Sequence, residues 1–270
     1  MKKHIRGKSQ HPFMNKNSPL VTIITPSFNQ GKFVEETIQG VLNQTYTNIE
    51  YIFVDGDSTD QTMQIVEKYR DKIDVIIHEK DKGQADAINK GFKLAKGELV
   101  GWINSDDILY PDCVEKIVEL YNEKPNGAIY YHSFNDMIDQ RGQIIRTYQH
   151  IIPDKQHLIR QNYNVVQQGS FYRADILKII GPLDINNYYC MDLDLWLNLL
   201  NYGEIVYTKD KSHAAFRVYS GTKTDTGKEK FLKNIYKVLR KNDAKIYYPT
   251  IWNRIYIYYL KTKIKRIFVH

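Results

Sequence analysis

Two adjacent carboxylates, Asp106 and Asp107, close the run Gly97-Glu98-Leu99-Val100-Gly101-Trp102-Ile103-Asn104-Ser105. The run reads as a buried strand whose C-terminal end delivers acid groups into a crevice, where open α/β sheets bind ligands. Paired carboxylates there suit a divalent cation, since Mg²⁺ takes oxygen ligands from protein and substrate phosphates together. The competing reading makes the pair a cap for the next helix. That helix is expected to open at Pro111, a residue favoured at the first helical position. Its cap then falls at Tyr110, which leaves Asp106 and Asp107 capping nothing. Asp55, at the end of Ile49–Val54, repeats the strand-then-acid pattern. Asp192 and Asp194 sit two residues apart ahead of Trp196, Leu197 and Leu200, a spacing that predicts a helix with both acids in its first turn.

These acids need a frame. Leu20–Thr25 reads as a strand and Pro26–Gly31 as a turn. Val34, Ile38, Val41 and Leu42 recur at helical spacing over 32–44. Asp60 is placed to cap a helix carrying Ile65, Val66 and Tyr69. Ile73–Ile77 is a third strand, and Lys82-Gly83-Gln84 leads into a helix with Ala87, Ile88, Gly91 and Ala95. The strand ending at Asn104 and a helix over 111–123 complete a βαβ rhythm, which implies a mostly parallel α/β sheet. Asp55 and the Asp106/Asp107 pair then emerge at one sheet edge. Beyond residue 125 the rhythm loosens. Ala128–Phe134 and Gln143–Tyr148 read as strands joined around Gln140-Arg141-Gly142, and Val165–Tyr172 as a further extended segment, so an acceptor half is expected to follow a nucleotide half.

The 270 residues carry a net charge of +7, unevenly spread. Residues 1–16 hold five Lys/Arg and no acid, giving +5, and residues 228–270 hold twelve against Glu229 and Asp243, giving +10. The body, 17–227, is therefore 7 − 15 = −8. An acidic body argues against a nucleic-acid partner, and basic ends suit an anionic surface. Cys113 and Cys190 form no motif, which points to a reducing compartment. No apolar h-region follows Met1–Lys8, and Ile255–Leu260 is too short to span a bilayer. The expected location is the cytoplasm.

Taken together, Thr22–Asn29, Val54–Asp60, Asp81–Gly91, Asn104–Asp107, Gln167–Arg173 and Met191–Leu197 resemble the family 2 inverting glycosyltransferases. The resemblance spans roughly residues 19–223. It implies a GT-A fold, Rossmann-like, with a mostly parallel mixed sheet flanked by helices. It also implies transfer from a nucleotide-sugar donor, UDP-linked, to a hydroxyl of a glycan or lipid-linked glycan, in surface polysaccharide assembly such as capsule, lipopolysaccharide or exopolysaccharide. Carried over residue by residue, it makes Asp55 the nucleobase partner and sets Asp106 beside the ribose or metal. Asp107 becomes the ligand of Mg²⁺ or Mn²⁺ on the diphosphate, and Asp192 the general base. Pro26, Phe28, Gln84 and Asp86 fall on the donor side. Gln84 and Asp86 start a helix beside the crevice, although an acid in a first turn also suits the helix dipole. Gln167 and Gln168 fall on the acceptor side, and strand alternation requires one of them to point away.

Two departures mark this chain. Relatives commonly read Asp-Asp-Gly-Ser where it has Asp55-Gly56-Asp57-Ser58, so Asp57 is assigned to turn formation. Many carry Arg-x-His where it has Arg217-Val218-Tyr219; His213 is out of register and reads as an ordinary satisfied histidine. On this reading residues 1–18 are a basic flexible tail, 19–223 the transferase domain, and 224–270 a basic, aromatic helical segment. In that segment Ile251, Ile255 and Tyr259 share a face, with Trp252 and Tyr256 beside it, and Arg254, Lys261 and Lys265 line another. Leu260, Ile264 and Ile267 widen the apolar arc. The segment is expected to rest on the inner face of the plasma membrane; the alternative is packing on the domain or on a second subunit. Two other functions compete: an inactive transferase-like binding module, against which the intact acids weigh, and a nucleotidyltransferase, which lacks here a glycine-rich phosphate loop near residue 26.

Overall fold

The computed structural model describes residues 18–257 and 260. Four strands, β1 (Val21–Ser27), β2 (Ile49–Asp55), β3 (Val75–His78) and β4 (Leu99–Trp102), run parallel in the order β3-β2-β1-β4. β5 (Ile108–Leu109) is a two-residue strand after the acid pair, and β6 (Gly127–Ile138) pairs with β7 (Ile144–Gln149) as an antiparallel hairpin. β8 (Phe171–Arg173) lies antiparallel between β4 and β6, and β9 (Glu204–Arg217) runs parallel to β6 and closes against β5. The sheet is mixed: parallel in its first half, largely antiparallel in its second.

Period-two alternation splits the core between the two faces. Val21, Ile23, Tyr51 and Phe53 pack on α1 (Val34–Leu42), α2 (Thr62–Glu67) and α4 (Cys113–Glu123). On the other face Ile24, Ile52, Val54, Val100 and Trp102 pack with α3 (Gln84–Leu94), α5 (Lys155–Arg160), α6 (Ala174–Ile180) and α7 (Met191–Leu199). Gly91 lets α3 sit directly on β1, because a Cβ there would lie 2.6 Å from Ile24 Cγ2.

Several local expectations shift. β1 runs on through Pro26 and Ser27, which pair with Val54 and Asp55. α4 opens at Cys113 with Asp112 at its N-cap, not at Pro111, because Tyr110 and Pro111 lead out of the β5–β9 pairing. Asp60 does bond the Thr62 amide, at 2.9 Å, but the N-cap position of α2 is Gln61. Val165–Ser170 is not a strand: Gly169, at φ 71°, turns the chain just before β8.

The described part of the C-terminal segment packs on the domain. α8 (Lys223–Lys241) buries Leu232, Ile235, Val238 and Leu239 in the same core as α7, and Ile251, at the end of α9 (Pro249–Ile251), and Ile255 beyond it are buried there too. Ile251 and Ile255, two residues of the face expected to meet a membrane, thus pack into the protein interior, while Trp252 and Tyr256 remain exposed and stack with centroids 5.0 Å apart. Tyr259, Lys261, Ile264, Lys265 and Ile267, the Arg254 side chain and residues 1–17 of the basic N-terminal tail lie outside the described residues. Among the described residues no helix is long and apolar enough to cross a membrane.

Candidate active site

β1, β2 and β4 end at one edge of the sheet; Asp55 closes β2, and Asp106 and Asp107 follow β4. Asp107 is fully buried. Its Oδ1 accepts the Arg217 amide at 2.9 Å, and its Oδ2 accepts Asn104 Nδ2 at 3.0 Å and Gln168 Nε2 at 2.9 Å. A carboxylate offers about four acceptor sites, so these bonds leave room for about one more partner. Burial, then the charge of Asp106, holds the Asp107 carboxyl well above the usual carboxylate range. Asp106 is less buried, and its Oδ2 accepts the Tyr219 hydroxyl at 2.9 Å.

Side-chain amides extend the site. Gln84 Nε2 donates to Asn104 Oδ1 at 2.6 Å, linking the start of α3 to the acid loop. Gln167 donates to the Trp102 carbonyl at 2.7 Å and accepts from Asn104 Nδ2 at 3.3 Å. Gln167 and Gln168 therefore both reach the acid loop, against the alternation expected of a strand. The turn at Gly169 is what permits it. Asp86, in the first turn of α3, instead accepts the Lys82 amide at 3.0 Å, a local contact at the helix start.

Asp55 is fully buried and accepts Ser58 N at 2.8 Å and Ser58 Oγ at 2.5 Å, so it shapes its own turn, in which Asp57 adopts φ 71°. Its Oδ2 also lies 2.7 Å from His78 Nδ1 at the end of β3. Pro26 is buried within β1, whereas Phe28, just past its end, is 59% exposed.

Three residues outside the sequence-based donor set join the site. Arg217 is fully buried; beyond its amide bond, its Nε donates to the Asp106 carbonyl at 2.8 Å, Nη1 to the Asp139 carbonyl at 3.1 Å and Nη2 to Glu36 at 2.7 Å. Tyr219 packs on Phe33 with centroids 5.0 Å apart, and burial with the charge of Asp106 pushes its phenol up to about 12, so it acts as a donor. His78 is the third. The signal for two of them was the Arg-x-Tyr departure itself. His213, by contrast, is held between Asp112 and Asp210, at 2.9 and 3.0 Å, as a satisfied buried histidine.

The two helix-start acids part company. Asp194 is buried and pairs with Lys241 of α8 at 3.2 Å. Asp192 lines a cavity of about 410 Å³ walled by β6, β7, β9, the 163–165 segment and α8. Phe216, in the same wall, directly precedes Arg217, whose amide donates to Asp107, so the cavity wall runs on to the acid loop.

The glycosyl transferase family 2 profile matches residues 22–178. The chain belongs to the family 2 glycosyltransferases and is a glycosyltransferase enzyme. Of several Rickettsia glycosyltransferases, 30–31% identical to it, the chain spans from 29% to 68% of the length. Against TuaG of Bacillus subtilis, a glycosyltransferase named for teichuronic acid biosynthesis, it is 28% identical over 262 residues, 94% of this chain and 99% of the relative. Among solved structures, Staphylococcus aureus TarS in complex with UDP-GlcNAc superposes with a TM-score of 0.63 at 21% identity, over 81% of this chain and 65% of that one. The mannosyltransferase PcManGT of Pyrobaculum calidifontis, in complex with GDP-Man and Mn²⁺, gives 0.59 at 16%, over 93% and 72%. These superpositions establish the GT-A fold.

Proposed function

We propose that the enzyme moves a sugar from a UDP-linked donor to a hydroxyl of a glycan or lipid-linked glycan, with inversion, during surface polysaccharide assembly. The carrying observation is the division between Asp192, on a cavity beside the acid pair, and Asp194, tied to Lys241. Asp192 takes the proton of the acceptor hydroxyl as its oxygen attacks the anomeric carbon from the face opposite the leaving nucleoside diphosphate. General-base help of this kind contributes about 10²–10⁴-fold. TuaG and the UDP-GlcNAc complex of TarS support the pathway class and the carrier.

On the donor side, exposed Phe28 offers a face to the uracil ring, and Asp55 with Pro26 forms the floor beneath it. Gln84 and Asp86 face the donor sugar from the start of α3, and Asp106 serves the ribose or the metal. Gln167 and Gln168 hold the acid loop where acceptor and donor meet.

Asp106 and Asp107 fit a divalent cation. Both present hard oxygens, and a cation relieves the burial and repulsion that oppose ionisation of Asp107. A divalent cation held by one or two carboxylates also takes substrate phosphates as ligands. When bound, Mg²⁺ or Mn²⁺ supplies Lewis-acid neutralisation of charge on the leaving diphosphate, worth several kcal/mol.

Exposed Tyr247, Trp252, Tyr256 and Leu260, within the basic 228–270 segment, support contact with an anionic membrane at the cytoplasmic face. The test is incubation with a panel of nucleotide sugars, acceptors and Mn²⁺, reading nucleoside diphosphate release. UDP release that depends on acceptor and on Asp192 is the expected result. Binding without release from any donor would instead describe an inactive module.

A further inference from the structure

We propose that Arg146 is an acceptor-specificity residue, and that the accepting sugar carries an acidic group, a carboxylate or a phosphate, that pairs with its guanidinium. This rests on the reading of the Asp192 cavity as the acceptor site.

Alternation along β7 puts Arg146 and Tyr148 on one face, and both, with His150 just past the strand, line the cavity that Asp192 lines. Arg146 pairs in register with Met137, and Met137 with Phe216, so one row of three strands forms a wall and ends next to Arg217, the residue that holds Asp107. Tyr163 and Tyr189 add flat surfaces from other segments. Such rings cover a sugar face well.

Arg217, next to the end of that row, is already committed to Glu36 and two carbonyls. Arg146 has no acidic partner among the described residues, and its side chain is exposed at the cavity wall. A guanidinium presents a planar fork that matches carboxylate or phosphate oxygens two at a time. The donor's diphosphate is already provided for by the acid pair and its cation. An acidic acceptor, in turn, would meet the negative charge of Asp192, and Arg146 offsets that repulsion.

Matched sugars that differ only in charge test this: phenyl glucoside with phenyl glucuronide, phenyl galactoside with phenyl galacturonide, and glucose with glucose 6-phosphate. Binding is measured by calorimetry in the presence of UDP, using the Asp192→Asn protein so that no turnover intervenes. At least one acidic member is expected to bind more tightly than its neutral partner. Arg146→Gln should weaken that acidic ligand about tenfold or more and leave the neutral one and UDP unchanged. Arg146→Lys should restore part of the loss, since it keeps the charge without the fork.

Equal binding of acidic and neutral partners throughout, or no binding by any acidic sugar, overturns the proposal. A loss confined to UDP affinity assigns Arg146 to the diphosphate and overturns it as well. Failure of the underlying reading shows elsewhere: Asp192→Asn would then keep near-normal turnover with the wild-type Arg146 in place.

Discussion

The Tyr219 hydroxyl donates to Asp106 Oδ2 at 2.9 Å and accepts from Gln30 Nε2 at 3.3 Å. A phenol at this position is a one-way donor to Asp106, because its pKa of about 12 keeps the proton in place. Tyr219→Phe retains the ring on Phe33 and removes the hydroxyl, both as donor to Asp106 and as acceptor from Gln30. The variant should lose about 0.5–1.5 kcal/mol of stability and show a raised KM for the donor, with acceptor KM unchanged. Equal donor kinetics in the two proteins would remove Tyr219 from the site.

Asp107→Asn is expected to abolish transfer, and also to cost stability. An amide nitrogen at either oxygen position faces an N–H donor, from Arg217 on one side or from Asn104 and Gln168 on the other. One mispaired donor costs about 1–3 kcal/mol, readable as a shifted urea midpoint. Near-normal transfer by the variant in excess chelator would sink the cation role.

Titration of Asp107 makes cation and pH effects interdependent. Its native pKa is raised, so the folded protein holds the proton more tightly than the unfolded chain. Its contribution is therefore fully present below the unfolded carboxylate value of about 4 and is lost as pH rises through the native value. Bound Mn²⁺ or Mg²⁺ favours the ionised form. The rise in Tm on adding cation should thus be larger at about pH 8 than at about pH 6. A rise independent of pH would place the ion elsewhere.

The strand ends and the main helices follow from local signals, because apolar periodicity and burial agree in β1, β2, α3 and α7. Asp106 and Asp107 were legible for the same reason: two acids that end a buried strand and cap no helix stand out against the apolar run before them. The partners were not. Arg217 and Tyr219 meet the acid loop through contacts that no local pattern encodes, and only the departure from Arg-x-His drew notice to them. The Gln167/Gln168 alternation failed because one positive-φ glycine replaces a strand by a turn. The C-terminal helix showed an apolar face in sequence, but amphipathicity alone does not distinguish a protein core from a bilayer.

The helix-start acids should separate in two assays. Asp192→Asn is expected to lower turnover by about a hundredfold or more, with donor affinity and Tm nearly unchanged. Asp194→Asn should instead lower Tm, since Asp194 is buried and paired with Lys241, and spare most turnover. Equal, modest losses in both would place the base elsewhere.

Liposome flotation can divide packing from surface contact in the C-terminal segment. Trp252→Ala with Tyr256→Ala, both exposed, should reduce flotation on anionic vesicles and leave Tm in place. Ile251→Ala should lower stability by about 2–5 kcal/mol, because that side chain is buried. Unchanged flotation of the double variant would remove the aromatic contact from the membrane reading.

The bond from Arg217 to Asp107 spans 110 residues, and that distance has a consequence for biosynthesis. Domains form largely in the order they emerge during translation. The parallel strands and the acid loop leave the ribosome long before β9 exists. Until β9 docks, Asp107 lacks its amide partner and Arg217 cannot brace the loop against α1. A nascent chain stalled before residue 204 should therefore hold a formed β1-β2-β3-β4 sheet with an unfinished donor pocket. Competence to bind nucleotide would then mark the last stage of folding, and a released fragment without β9 would carry an assembled scaffold and no activity.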